Sequence, residues 1–174
     1  VSSSHFLKEE RYYETVSLKE SDYLFLTNPN TNISFPSFEF PIKEEYRISS
    51  EFGVRNQIIK GMGGEEGDFH RGIDIVSKSG SKIIASASGI VHLHYPPPNK
   101  WYKGHPVFGG LVVINHGNGI FTLYGHLSKS YVKEGQFIEK GEEIGVIGNT
   151  GLSTGTHLHF EVLFRAKLVQ DRVR

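Results

Sequence analysis

The sequence predicts an all-β fold, either an antiparallel β-sandwich or a partly open barrel. All 20 glycines of the 174-residue chain lie between residues 53 and 155. The segments between them are short β-branched and aromatic runs, which are typical of strands joined by tight turns. From residue 42 to residue 170, no stretch keeps a 3.6-residue apolar period for a dozen positions, so we expect no amphipathic helix there.

The candidate strands follow one another at short intervals. In chain order they are residues 72–76, 82–85, 90–95, 111–114, 120–124, 144–147 and 157–162. Only the connection over residues 96–106 is much longer than a tight turn, and it is rich in proline. Long loops in compact domains are often functional, but a plain surface insertion would explain this loop equally well.

The chain length fits one domain with an additional segment. Residues 1–41 are rich in serine, glutamate, asparagine and threonine, and we expect them to form an N-terminal arm or linker. The domain itself is expected over residues 42–174. Whether the first segment packs on the domain or belongs to an upstream linker stays open at this point.

Composition excludes several classes of function. The 19 basic and 19 acidic residues balance, so no net charge favours binding to nucleic acid or to an anionic membrane. The longest apolar runs, such as residues 111–114, are far shorter than the ~18 residues of a membrane-spanning helix. The chain has no cysteine, so a metal would have to be held by histidine and carboxylate side chains. The nine histidines are therefore the first residues to consider.

His70 and Asp74 are the first pair that could hold a metal. On one straight strand they would share a face but lie about 13 Å apart, at ~3.3 Å per residue. One metal ion cannot bridge that distance. If both residues are ligands, His70 must lie on a bend before the strand, and Gly72 would permit that bend.

His157 and His159 are the second pair. In a strand their imidazoles point to the same face, with the two Cα atoms about 6–7 Å apart. One histidine could bind a metal while the other approaches the reacting groups. Glu161 falls on the same face and could support the site from behind or at its rim.

The same spacing occurs at His92 and His94, so a His-x-His pattern alone is weak support for a metal site. The two pairs differ in what precedes them, because a glycine- and hydroxyl-rich segment, residues 151–156, leads into His157. From the residues alone, a metal site and a set of ordinary half-buried polar groups remain alternatives. Two histidines and one carboxylate with an open position would suit catalytic zinc. The candidate set is His70, Asp74, His157 and His159.

Several motifs occur in a fixed order along the chain. They are Ser50-Glu51-Phe52-Gly53-Val54-Arg55, the segment 70–75 that begins His-Arg-Gly-Ile-Asp, residues 85–91, the segment 113–119 with Asn-His-Gly-Asn-Gly, the segment 123–128 with Tyr-Gly-His-Leu-Ser, residues 132–148, and the segment 151–162 with His-Leu-His-Phe-Glu-Val. With these motifs, the chain from about residue 47 to residue 162 resembles the lysostaphin/LytM-type zinc metallopeptidases. Members of that family cut peptide bonds in bacterial peptidoglycan.

The resemblance implies a role for five residues. His70, Asp74 and His159 would be the ligands of one Zn²⁺ per chain, held in a groove of the domain. His126 and His157 would be the catalytic histidines, which remove a proton from water, stabilise the oxyanion and protonate the leaving amine. Because at least one of them must be neutral, activity should fall on acidification. From the residues alone, His126 looks like an ordinary histidine at the end of a strand.

The resemblance also implies a partner and a location. We expect a peptidoglycan peptide as substrate and a place in the bacterial cell envelope, periplasmic or extracellular. A signal or anchor segment is expected to lie outside this chain. The Pro-rich loop 96–106, with Trp101 and Tyr102, is expected to form one wall of the substrate groove.

Two other interpretations keep the β architecture. The chain could be a catalytically silent family member that binds and activates other cell-wall hydrolases, but all three ligands and both catalytic histidines are present. Residues 132–144 also have the strand–turn rhythm of biotinyl and lipoyl carrier domains. Those domains need a modifiable lysine at an exposed hairpin tip, and this signature does not occur here.

Overall fold

The computed structural model describes residues 14–16, 36–54, 69–70 and 72–164. Within these ranges the chain forms strands and no helix, which confirms the predicted all-β class. No helix in the described part is therefore long and apolar enough to cross a membrane. The strands are β1 (Glu14–Val16), β2 (Tyr46–Ser50), β3 (Gly53–Val54), β4 (Phe69–His70), β5 (Ile73–Ser77), β6 (Lys82–Ile84), β7 (Gly89–Tyr95), β8 (Gly110–Gly117), β9 (Ile120–Leu127), β10 (Lys129–Ser130), β11 (Phe137–Ile138), β12 (Glu143–Val146) and β13 (Leu158–Phe164).

Eight of these strands form the main sheet. Its order is β11-β7-β8-β9-β13-β5-β2, and β1 pairs with the far end of β13. A second sheet has the order β10-β12-β6, and β3 pairs with β4 in a two-stranded ribbon. All of these pairings are antiparallel. Among the described strands the sheets do not close into a barrel, so the fold is an open sandwich.

Both faces of the main sheet carry apolar side chains, and they alternate as the pleat of a strand requires. On β8, Val112 and Ile114 belong to one buried cluster, which also contains residues of β6 and β12 from the second sheet. Leu111 and Val113 belong to a separate cluster on the opposite face. This burial on both sides explains why β8 and β9 read as near-continuous apolar runs in the sequence.

The segment before the domain is only partly described. Phe38 and Phe40 pack against the first of the two buried clusters, and Ile42 is itself 2% exposed. Strand β1 pairs with residues 162–164 of β13. The division at residues 41 and 42 stays a prediction, and the rest of residues 1–41 lies outside the described part of the chain.

The candidate strands from the sequence coincide with β5, β6, β7, β8, β9, β12 and β13. Among these, β13 has a central place, because it pairs with β9 on one side and with β5 on the other. Its register sets His159 opposite both Asp74 on β5 and Gly125 on β9. Residues far apart in the chain therefore meet at the middle of the main sheet.

Candidate metal centre and active site

Three side chains predicted as metal ligands meet at one point. The possible ligand atoms of His70, Asp74 and His159 all lie within 4.8 Å of one another. Asp74 Oδ1 is 2.9 Å from His159 Nδ1 and 3.3 Å from His70 Nε2. The two imidazoles approach each other as well, with His70 Nε2 3.3 Å from His159 Nδ1. The structure thus brings these three predicted residues together.

His70 reaches the cluster from the short strand β4, separate from the strand that carries Asp74. The chain turns at residue 72 between them, as the distance argument from the sequence requires. A Cβ at Gly72 would lie 2.3 Å from the carbonyl oxygen of Phe160, so only glycine allows this turn to approach β13. Glycine is required here by a close contact with a neighbouring backbone.

Each imidazole is oriented by a partner on its other side. His70 Nδ1 is 2.9 Å from the backbone oxygen of Glu51 and 3.1 Å from Ser50 Oγ. His159 Nε2 is 2.9 Å from Glu161 Oε1. Because these outer nitrogens can donate to oxygen, loss of the inner proton from each ring would leave a lone pair directed into the cluster. Metal-binding histidines have this arrangement, with one nitrogen on the metal and the other hydrogen-bonded to a carbonyl or carboxylate.

The electrostatics of the cluster favour a cation. Burial would raise the pKa of the Asp74 carboxyl, but hydrogen bonds from His159 and His70 outweigh burial and hold this pKa well below its usual range. Burial would lower the pKa of His159, but hydrogen bonds to Asp74 and Glu161 raise it to about 9. Two carboxylates therefore surround one buried imidazole. Glu161 Oε2 is buried and has no hydrogen-bond partner among the described residues, so the negative charge here is incompletely compensated.

The donor set fits zinc. Two imidazole nitrogens and one carboxylate oxygen are ligands that zinc prefers, and three protein ligands leave a coordination position open, as in catalytic sites. The cluster also lines an open groove of about 660 Å³. These observations make His70, Asp74 and His159 a candidate zinc centre with access from solvent.

A second pair of histidines lies beside this cluster. The ring centroids of His126 and His157 are 4.6 Å apart, and His157 Nε2 is 3.7 Å from Asp74 Oδ1. His126 Nδ1 donates to the backbone oxygen of Thr150 at 2.6 Å, and His157 Nδ1 donates to that of Gly155 at 2.8 Å. Both rings are therefore held through Nδ1, which leaves Nε2 as the nitrogen that can accept a proton.

His126 is held neutral by its surroundings. Burial lowers its pKa most, and the nearby His157 and His159 lower it further. The hydrogen bond to Thr150 acts in the opposite direction, and the resulting pKa is about 4. A histidine with this pKa is uncharged at neutral pH and can act as a general base.

The backbone of His126 explains how β9 delivers it to the site. Strict alternation would place its side chain on the same face as Tyr124, and Leu127 on the opposite face. However, Leu127 packs in the same cluster as Tyr124, and His126 has a left-handed φ of 66°. The strand therefore switches face at His126. Such a conformation costs a non-glycine residue about 1–3 kcal/mol, which neighbouring contacts such as the Thr150 hydrogen bond offset.

Phe108 forms the wall of the groove nearest to the histidines. Its ring stacks on His159, with centroids 5.4 Å apart and an interplanar angle of 23°. It also lies 5.9 Å from the ring of His126. Gly125 makes room for it, because a Cβ there would be 2.9 Å from Phe108 Cδ1. Phe108 shields one side of the candidate ligand His159 from water.

The loop that carries Phe108 is built around His105. His105 and Gly109 exchange backbone hydrogen bonds of 2.7 and 2.9 Å, which close a tight loop. Inside it, His105 Nδ1 accepts from the backbone N–H groups of Val107 and Phe108, each at 3.0 Å. The His105 side chain is buried, and burial lowers its pKa. Its neutral ring therefore acts as an internal cap for this loop.

The other walls of the groove come from the two segments that flank the ligands. Residues 152–156, the hydroxyl-rich segment before His157, form one side, and residues 47, 49 and 50 of β2 form another. Val107 and Phe108 follow directly after the Pro-rich loop 96–106. Trp101 and Tyr102, which the sequence suggested for this wall, do not line the groove.

The other histidines in the described part of the chain have different surroundings. His94 Nε2 bonds Ser130 Oγ at 2.6 Å, and the ring of His92 packs edge-on against Phe121. Neither belongs to the cluster of His70, Asp74 and His159, and within the described residues no group that could hold a metal forms around residues 92–94. His116 donates to the backbone oxygen of Ser88 and contacts Thr122 Oγ1 at 2.7 Å, so its ring links two parts of the domain.

Residue-level reasoning missed His126 and Phe108. Nothing local distinguishes a histidine at the end of an apolar strand, and only the resemblance to a family pointed to His126. Phe108 lies just outside the Pro-rich segment, and its position depends on contacts between loops. By contrast, the support for His159 from Glu161 was anticipated from their shared face, and the structure places Glu161 Oε1 2.9 Å from His159 Nε2.

Comparisons with known proteins identify similar sequences and a similar solved structure. The model of peptidase family M23 matches residues 68–171. The peptidoglycan DD-endopeptidase ShyA of Vibrio cholerae is 37% identical over 132 residues, covering 75% of this chain and 28% of ShyA. The DD-carboxypeptidase/endopeptidase Mpg of Neisseria meningitidis is 42% identical over 115 residues, covering 66% of this chain and 24% of Mpg. This chain thus spans about a quarter of the length of these curated relatives.

A solved structure of a peptidase has a similar fold. The crystal structure of a zinc-containing peptidase from Vibrio cholerae matches with a TM-score of 0.61 and 32% identity, over 76% of this chain and 38% of that one.

Proposed function

This chain belongs to peptidase family M23, and from that premise we propose that it is a zinc-dependent endopeptidase that hydrolyses peptide bonds of bacterial peptidoglycan. The observation that carries the proposal is the buried cluster of His70, Asp74 and His159 with two further histidines beside it in one groove. Relatives named as peptidoglycan DD-endopeptidase and as zinc-containing peptidase support the substrate and the metal.

His70, Asp74 and His159 would hold the zinc. When bound, the metal would supply a Lewis acid that polarises the scissile carbonyl and lowers the pKa of water. The protein's part is to fix these ligands before the metal arrives. Glu51 and Ser50 orient His70, Glu161 orients His159, and Phe108 limits the access of bulk water to the His159 ring.

His126 and His157 would handle the protons. His126 is neutral at physiological pH, so its Nε2 can take a proton from the attacking water. His157 is held through Nδ1 by Gly155, and its Nε2 lies on the side of Asp74, next to the candidate ligands. The pair can therefore stabilise the oxyanion by donating a hydrogen bond and return a proton to the leaving amine.

The proposed place of action is the bacterial cell envelope, because the proposed substrate is found there. A catalytically silent, regulatory role has no observation in its favour. A catalytically silent member would be expected to lack a metal ligand or a catalytic histidine. In this chain His70, Asp74 and His159 lie together, and His126 lies beside His157.

The test is digestion of purified peptidoglycan, with mass analysis of the fragments and zinc quantification of the protein. We expect wild type to hold about one zinc per chain and to release fragments with newly formed peptide termini. Asp74→Ala should lose both properties. His92→Ala is the matched control, since His92 belongs to the other His-x-His pair and should leave digestion intact. Digestion that survives Asp74→Ala, or a wild-type protein that never binds zinc, would contradict the proposal.

A further inference from the structure

A second groove lies beside the one just described. It has a volume of about 320 Å³ and runs between two short segments, residues 96–99 with Tyr102 on one side and residues 128–131 on the other. Its volume lies within the range of small-ligand pockets, about 300–1,000 Å³. The function proposed above makes no use of it.

The groove is rigid on the side of the Pro-rich loop. Three successive prolines, residues 96–98, have fixed φ angles. Asn99 then closes the loop, because its side-chain Oδ1 accepts from the backbone N–H groups of Trp101 and Tyr102 at 2.7 and 2.8 Å. The backbone N–H of Asn99 also donates to the oxygen of Tyr102 at 2.8 Å. Tyr102 is therefore presented by a preformed turn.

The opposite side is fixed by hydrogen bonds to neighbouring strands. Ser128 Oγ donates to the backbone oxygen of Ile147 at 2.7 Å, and Ser130 Oγ lies 2.6 Å from His94 Nε2. Each hydroxyl oxygen keeps a lone pair for a ligand. Tyr131 follows Ser130 directly, and its side chain is exposed like that of Tyr102.

The two grooves are lined by adjoining segments of the chain. A Cβ on Gly104 would lie 3.0 Å from Pro98 Cδ, and a Cβ on Gly110 would lie 3.0 Å from Pro97 Cγ. The prolines therefore pack directly on the segment that carries Phe108. On the other side, Ser128 is two residues beyond His126. A polymer that occupies the catalytic groove would therefore pass close to the second one.

The chemistry of the second groove matches a carbohydrate. Tyr102 and Tyr131 are 54% and 53% exposed, and tyrosine combines an apolar ring with a polar hydroxyl. Pyranose rings have one apolar face and a rim of hydroxyls, so they pack on such rings while bonding to neighbouring polar groups. Ser128, Lys129 and Ser130 line the same groove and add polar groups to it. A peptide strand would gain little here, because β10 is only two residues long.

We propose that this second groove, which we call the glycan groove, binds the N-acetylated amino-sugar backbone of peptidoglycan. The inference rests on the function proposed above, since it takes peptidoglycan as the substrate. Contacts to the glycan strand would hold the enzyme on the polymer while the catalytic groove receives an attached peptide. The glycan groove would thus add affinity for intact cell wall and none for a free peptide.

The test uses short glycan strands from which an amidase has removed all peptides. We expect calorimetry to detect binding to wild type, with Tyr102→Ala and Tyr131→Ala each weakening it at least tenfold. Trp101, the only tryptophan, precedes Tyr102 and gives a fluorescence signal for the same titration. Phe137→Ala is the matched control, because Phe137 is an equally exposed aromatic residue on β11 and does not line the groove.

Hydrolysis separates this inference from the proposed function. Rates are measured on intact sacculi and on a soluble, cross-linked stem-peptide dimer. We expect the ratio of sacculus rate to dimer rate to fall at least threefold in the tyrosine variants and to stay unchanged in Phe137→Ala. Absence of glycan binding, or equal loss in Phe137→Ala, overturns the glycan groove while leaving cleavage of the dimer to support the peptidase. A wild type that cuts neither substrate overturns the proposed function itself.

Discussion

His159 and Asp74 lie directly opposite each other in the pairing of β13 with β5, and His159 Nδ1 is 2.9 Å from Asp74 Oδ1. The two residues are separated by 85 positions in the chain. Because paired strands are held by a ladder of backbone hydrogen bonds, the register of the sheet brings these two side chains next to each other. The candidate metal centre is therefore built into the rigid core of the domain.

The first prediction concerns the carboxylate of this pair. Asp74→Asn keeps the shape of the side chain but removes the negative charge that would attract a cation and that stabilises the charged form of His159. We expect zinc content to fall from about one per chain to near zero at stoichiometric metal, and peptidase activity to fall by at least 100-fold. Atomic emission and a peptide assay measure the two effects. Full activity with normal zinc content would show that Asp74 is not a ligand.

The second prediction concerns Glu161, which contacts His159 from the side away from the cluster. Glu161→Gln keeps an oxygen that can accept from His159 Nε2, whereas Glu161→Leu removes it. Supporting groups of this kind contribute about 10–100-fold to metal affinity. We expect a chelator competition to give a loss in this range for Glu161→Leu and a smaller loss for Glu161→Gln.

Saturating zinc provides the control for this pair of variants. If Glu161 acts through the orientation of His159, excess zinc should restore most of the activity of Glu161→Gln. Equal zinc affinity in wild type and Glu161→Leu would show that Glu161 does not contribute to metal binding. A thermal unfolding curve for each apo protein checks that both variants fold.

The strands could be predicted from the sequence because their apolar runs are short and separated by glycine. The pairing of strands could not. Strand β13 is apolar on the positions that face β6 and β12, but this pattern does not say which strands lie beside it. The approach of His70 to Asp74 was predictable in part, because the distance along a straight strand excluded any arrangement without a bend.

Parts of the candidate site were likewise not predictable from the sequence. The periodicity of β9 places His126 on the face of Tyr124, inside the buried cluster, and only its φ of 66° turns it toward His157. A single backbone angle of this kind leaves no trace in local composition. Phe108 likewise depends on a loop that is closed by His105, a residue of no evident importance in the sequence.

The third prediction concerns that loop. His105→Leu removes the acceptor for the part-buried backbone N–H groups of Val107 and Phe108, and each lost hydrogen bond costs about 0.5–1.5 kcal/mol. The loop should therefore rearrange and move Phe108 away from His159. We expect kcat/KM on a soluble peptide to fall at least tenfold, with zinc content unchanged because His105 does not touch the three candidate ligands.

His105→Asn tests whether the hydrogen-bond acceptor of His105 positions the loop. In His105→Asn, the side-chain Oδ1 takes the place of Nδ1 and can accept the same two hydrogen bonds. We expect it to recover most of the lost kcat/KM. If the asparagine and leucine variants are equally impaired, packing of the imidazole and not its role as an acceptor positions the loop.

The last prediction concerns pH and stability, through His116. Its Nδ1 donates to Ser88, and Thr122 Oγ1 at 2.7 Å donates to its Nε2 in a chain that continues to the hydroxyl of Tyr124. Burial lowers the pKa of His116, although the bond to Ser88 opposes this. At a pH below 6.5, the ordinary pKa of histidine, His116 is protonated in the unfolded chain but not in the native protein. The free energy of unfolding therefore falls as the pH decreases toward the lowered pKa of the native state.

His94 and His105 have lowered pKa values for the same main reason, burial, and contribute to the same trend. The contribution of His116 is isolated by comparing wild type with His116→Gln, whose amide can donate and accept but does not titrate. Urea unfolding at pH 7.5 and at pH 5.5 measures the free energy of unfolding of the two proteins. We expect the free energy of unfolding to drop less between these two pH values in His116→Gln than in wild type. An identical drop in both proteins would mean that His116 takes up its proton equally in the folded and unfolded states.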